Sequence, residues 1–99
     1  MNEKDNKNEV KLENLSDEGF KVRIFDLKTG LVEYEHIKIV RIVSKDYNLL
    51  IMQDYLPIIG EVDGSIDIKG DDVDISYPKI EAFYMNSGNV FNLMVKEVD

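Results

Sequence analysis

Phe20-Lys21-Val22-Arg23-Ile24-Phe25 decides the fold class. In an extended chain successive side chains point to opposite faces. Phe20, Val22 and Ile24 therefore share one face, and Lys21 and Arg23 the other, which is the period of a half-buried strand. The same texture runs on from here, with β-branched and aromatic segments cut at short intervals by turn residues. Lys28-Thr29-Gly30 makes the first turn. Leu31–Val43 then carries apolar residues at 37, 39, 40 and 42, and the parity switch between Ile39 and Val40 predicts a bulge or a bend. Ser44-Lys45-Asp46 is the next turn, before the apolar run Asn48–Met52.

Further along, Pro57 removes a backbone donor, so Tyr55–Ile59 must be a strand edge or a bend. Asp63-Gly64 reads as a two-residue hairpin between Ile59/Val62 and Ile66/Ile68. Lys69-Gly70-Asp71-Asp72 separates that strand from Val73–Tyr77, which Pro78 closes. Ile80, Ala82 and Tyr84 alternate with Glu81, Phe83 and Met85, so both faces of this strand carry bulk. Asn86-Ser87-Gly88-Asn89 is a last hairpin turn, followed by Phe91, Leu93 and Val95. No segment after residue 20 keeps a helical period. The predicted fold is all-β, a small antiparallel β-sandwich of about 8–10 short strands.

Residues 1–19 are different. They hold six acids and three lysines, with Val10, Leu12 and Leu15 as the apolar positions after Met1. Two readings are open, a solvated tail or one loose amphipathic turn ended by Ser16-Asp17-Glu18-Gly19. The expected organisation is a polar N-terminal extension over 1–19 and a β-sandwich domain over 20–99.

A chain of 99 residues makes one domain at most. It has no cysteine, which removes disulfides, Cys-ligated zinc and thiol nucleophiles. Its formal charge of −8, with the basic residues scattered, argues against nucleic acid and anionic lipid as partners. The longest aliphatic run, Leu49–Met52, is far short of the roughly 20 residues of a spanning helix, so no membrane insertion is expected. The first ten residues hold no apolar stretch of the secretory kind, which leaves the cytoplasm as the expected location.

Catalysis finds little support. His36 is the one imidazole, and no serine sits in a G-x-S-x-G elbow to use it. Glu61, Asp63, Asp67, Asp71, Asp72 and Asp74 crowd one stretch, but Ile66 and Ile68 must face a core. That breaks the alternating ligand spacing of a calcium loop, and solvated hairpin tips account for the acids. Phosphate-binding glycine motifs are absent. No cofactor, metal or catalytic residue is expected. Five tyrosines offer stacking platforms, but in acidic or neutral settings that do not suit single strands. There remains Tyr47–Ile59, the most apolar part of the chain. Its spacing places Leu49 and Ile51 inside and the Asp54–Leu56 tip outside, as a contact loop for a protein.

That segment, with its flanks, resembles the N-terminal β-sandwich domain of the epsilon subunit of F-type rotary ATP synthases. The family runs from an alternating strand through a Gly turn and a Val/Ile strand to a loop of the type L-G-I-L-P-N-H-A-P-L. Here Phe20–Phe25, Thr29-Gly30 and the strand with Ile37, Val40 and Ile42 follow that order. Leu49, Ile51, Pro57 and Ile58 match the loop's Leu, Ile, second Pro and last Leu. Gly64-Ser65-Ile66-Asp67-Ile68 looks like the family's G-x-L-x-I strand, and Val90–Val95 like its final one. Leu50, Gln53 and Tyr55 depart from the family's Gly, Pro and His. Lys79-Ile80-Glu81 stands near its usual Ser-Gly-Gly, and Asp99 ends the chain where its C-terminal helical hairpin would begin.

The resemblance implies a non-catalytic rotor subunit in the central stalk of an F-type or F-type-like rotary ATPase, on the cytoplasmic side of the membrane. It would bind the gamma subunit and touch the membrane-ring subunits, meeting alpha and beta through the complex. By position, Asn48, Asp54, Tyr55 and Pro57 are the implied ring-side contacts, and Ile58–Gly60 lie nearer gamma. The family's inhibitory and ATP-sensing behaviour belongs to the helical hairpin and is not carried over. The competing class is an acidic β-sandwich adaptor, unrelated to ATPases, that grasps a peptide along an open edge strand.

Overall fold

In the computed structural model, residues 19–99 are described. They form six strands: β1 (Phe20–Asp26), β2 (Gly30–Ser44), β3 (Asn48–Ile51), β4 (Ile58–Gly70), β5 (Asp74–Ser87) and β6 (Val90–Val98). The fold is all-β, as the alternation requires. The polar extension expected over 1–19 falls, apart from Gly19, outside the described residues.

The expected short strands resolve into fewer, longer ones. β2, β4 and β5 run 15, 13 and 14 residues, and each shifts register part-way along. In β2 the pairing with β4 slips between Ile37 and Ile39, beside His36 at φ 60°. The parity switch places a bulge or bend between Ile39 and Val40; the slip stands just before that point. It leaves Ile37, Val40 and Ile42 buried and Ile39 only partly so.

Asp63-Gly64 is not a hairpin; β4 runs straight through it. Gly64 is required there because a Cβ would collide with the Val43 carbonyl oxygen of β2. The glycine permits close approach of two backbones rather than a reversal. Ser44 Oγ accepts from Asp63 N at 3.0 Å, and Lys45 N donates to Asp63 O at 3.1 Å. Nor does Pro78 end its strand. It lies where β4 and β5 slip past one another between Gly64/Ile80 and Ile66/Tyr77, a place where a missing N–H costs no ladder bond.

The sheet order is β1-β6-β5-β4-β2-β3, and β1 also pairs with β2. Five strands thus close a ring, to which β3 adds an outer strand on the distal half of β2. An odd ring cannot alternate direction all the way round. One pairing must be parallel, and it is β1 with β6, a correction to the purely antiparallel sandwich expected. Inside lie Phe20, Val22, Ile24, Ile37, Val40, Ile42, Ile51, Val62, Ile66, Ile68, Ile80, Ala82, Tyr84, Phe91 and Leu93. Every strand contributes to this core, so none can leave without exposing apolar surface.

Candidate partner-binding site

The predicted contact residues fall on the β3–β4 connection and its two ends. Asn48 opens β3 and is exposed; Ile58 and Gly60 stand at the start of β4; Asp54, Tyr55 and Pro57 lie in the loop between. Asp54 takes φ 65°, a left-handed conformation that Asp tolerates through local hydrogen bonding. Its backbone N–H donates to Asn89 Oδ1 at 2.7 Å, and Asn89 Nδ2 donates back to Asp54 Oδ1 at 2.9 Å. Asn89 is itself at φ 61°, in the β5–β6 turn. Two tight turns far apart in sequence are therefore locked to each other.

The loop is fixed from below as well. Tyr55 N donates to Met52 O at 3.2 Å, and the buried Asn86 reaches up with Nδ2 to Leu56 O at 3.4 Å. On the far side Gly19 N donates to Gln53 Oε1 at 3.1 Å.

Tyr55 and Ile58 are half-buried and pack against the core. The apolar surface that this bend presents outward is instead Leu56 and Ile59, 75% and 74% exposed. The alternation around Pro57 carried that signal: with Ile58 inward, its neighbour Ile59 must face out. Gly60 is explained from within. A Cβ there would collide with the Tyr84 hydroxyl, which meets Tyr47 Oη at 2.8 Å, while Tyr47 Oη donates to Glu61 O at 2.6 Å. Burial, then the Tyr47 hydrogen bond, pushes the Tyr84 phenol well above its ordinary range.

The arrangement is a partly apolar loop held by hydrogen bonds from the β5–β6 turn, Asn86 and Gly19. His36 lies outside it, on the β2 bulge. Asp71, Asp72 and Asp74 flank the β4–β5 turn, and among the described residues no group of three His, Cys, Asp or Glu side chains is placed to hold a metal. The described residues contain no helix long and apolar enough to cross a membrane.

No protein-family model matches the sequence, and no curated protein matches it. The fold does have a solved counterpart. A chain in the cryo-EM structure of the central stalk/c-ring of the Tetrahymena thermophila mitochondrial ATP synthase superposes with a TM-score of 0.67 at 10% identity. The match covers 80% of this chain, which spans 64% of that one. At that identity the likeness is one of fold.

Proposed function

We propose that this chain is a non-catalytic rotor component of an F-type or F-type-like rotary ATPase, equivalent to the β-sandwich domain of the epsilon subunit. The carrying observation is the fold shared with a chain from an ATP synthase central stalk/c-ring, over 80% of this chain. The order of sequence features around Leu49–Ile58 supports the same reading. The mechanism is mechanical. The closed strand ring is the rigid body, and the Asp54–Asn89 lock holds the β3–β4 loop in one shape for its partner.

In this reading Asn48, Asp54, Tyr55 and Pro57 face the membrane ring, and Ile58 and Gly60 stand nearer gamma. Leu56 and Ile59 supply the apolar contact, because Tyr55 and Ile58 are partly committed to the core. The complex would sit on the cytoplasmic side of the membrane.

A native pull-down of the tagged chain, with mass spectrometry of what it retains in stoichiometric amounts, tests this. Recovery of alpha-, beta- and gamma-like subunits is expected. Leu56→Asp with Ile59→Asp should cut that recovery about tenfold or more, as apolar anchors do when replaced by charge. If cells that contain a rotary ATPase yield none of its subunits, the rotor reading falls and the adaptor reading replaces it.

A further inference from the structure

Outside the loop, a broad apolar surface lies on the outer face of the sheet made by β5, β6, β1 and the first half of β2. Outward positions meet across strands in register: Phe83 opposite Met94, Met94 opposite Phe25, Phe25 opposite Leu31, with Met85 one step along β5. All five are between 43% and 51% exposed. Phe25, Leu31, Met85 and Met94 line a shallow groove edged by Arg23 and Asn92, and Phe83 lies beside it with Lys96 Nζ 4.7 Å from its ring centre. The exposed apolar area of these five is on the order of 450 Å², taking about 200 Å² per side chain. One side of a standard protein interface buries about 800 Å². The patch suits the apolar centre of an interface of that size.

One end of this face is acidic in an unusual way. Asp63, Glu81 and Glu97 stand directly abreast on β4, β5 and β6. Like charges in opposing positions of a sheet repel. Lys45 pairs with Asp63 at 3.0 Å, Lys96 with Glu61 at 3.1 Å and Lys79 with Asp99 at 3.9 Å. Among the described residues neither Glu81 nor Glu97 closes an ion pair. The free domain thus carries a row of like charges, offset in part by Lys45, next to an apolar face whose Phe83 end is capped by Lys96, in a chain already at −8.

We propose that this face docks a second protein whose contact surface is an apolar ridge ending in Lys or Arg side chains. The ridge covers Phe25, Leu31, Phe83, Met85 and Met94, and its basic end neutralises the row at Glu81 and Glu97. Charge complementarity selects this occupant over nucleic acid or anionic lipid, which the row repels. The inference stands on the face alone and does not need the rotary reading.

The test places a photo-crosslinking amino acid at Met94 in the full-length chain, expressed in its native cells, with a second probe at Leu56 as reference for the loop. The Met94 probe should link one heterologous protein, through a peptide that carries at least two basic residues. Met85→Asp should lower that yield about tenfold or more. Glu81→Lys with Glu97→Lys should lower it about fivefold while raising the melting temperature of the purified chain, since the row is relieved. Opposite signs on binding and stability are what a purely structural row cannot give. A link to a second copy of this chain, no link, or a yield indifferent to both variants overturns the proposal. If rotor subunits are absent but the basic-ended partner is found at Met94, only the rotor reading falls.

Discussion

At Gly60 the ring of Tyr84 fills the space that a Cβ would occupy. Tyr84 in turn stacks on Phe91 with centroids 5.7 Å apart, so it has nowhere to retreat. Gly60→Ala should therefore destabilise the domain by about 1–3 kcal/mol, the usual cost of overpacking, measured by urea denaturation. Adding Tyr84→Phe should recover only part of the loss, because the ring carbon bearing the hydroxyl also lies in the way. Tyr84 further sets an alkaline limit. Its phenol stays neutral in the fold at pH values where the unfolded chain, with a pKa near 10.0, already ionises. The stabilisation it contributes is thus complete below about pH 10 and is lost as pH rises above it. Tyr84→Phe should flatten the fall in stability that sets in above about pH 10, measured by urea denaturation across that range.

At the level of elements, the Asp54–Asn89 pair joins the β3–β4 loop to the β5–β6 turn. A double-mutant cycle with Asp54→Ala and Asn89→Ala should give a coupling of about 0.5–1 kcal/mol, that of the one side-chain bond from Asn89 Nδ2 to Asp54 Oδ1, since the Asp54 N–H bond to Asn89 survives Asp54→Ala and is lost only with Asn89. Hydrogen exchange at Tyr55 should rise in either single variant. The turn at Asn86–Asn89 was legible because its residue types demand one, but the side-chain bond to a loop 35 residues away leaves no local trace. Alternation identified β1 and β6 and the buried positions of β5. Its failure was at Asp63-Gly64 and Pro78, where turn chemistry sits inside long strands. A glycine demanded by the Val43 carbonyl and one demanded by a reversal look the same until the neighbouring strand is in place. The bulk at Phe83 and Met85 did show in the sequence as a strand apolar on both faces. Only the register, which sets Met94, Phe25 and Leu31 beside them, makes that bulk a surface.

Across the whole molecule, topology and charge pull in different directions. Closing five strands into a ring makes the core continuous and spares most edges, and it forces the parallel β1–β6 contact. It also fixes Asp63, Glu81 and Glu97 abreast, since β4, β5 and β6 have no freedom to slide once the ring is shut. The composition alone shows a charge of −8 but not that three of the carboxylates share one row. Screening should then help this fold rather than hurt it. At 1 M salt the Debye length falls to about 3 Å, shorter than the spacing of the row, so repulsion fades. Exposed ion pairs such as Arg23–Glu33 and Lys45–Asp63 lose strength too, but pairs of that kind contribute little. Raising NaCl from 0.05 to 1 M should lift the melting temperature by roughly 2–6 °C. Glu81→Gln should raise it at low salt and shrink the salt response, because position 81 faces both other carboxylates. A melting temperature that falls with salt would mean that the ion pairs, not the row, dominate the electrostatics of the free domain.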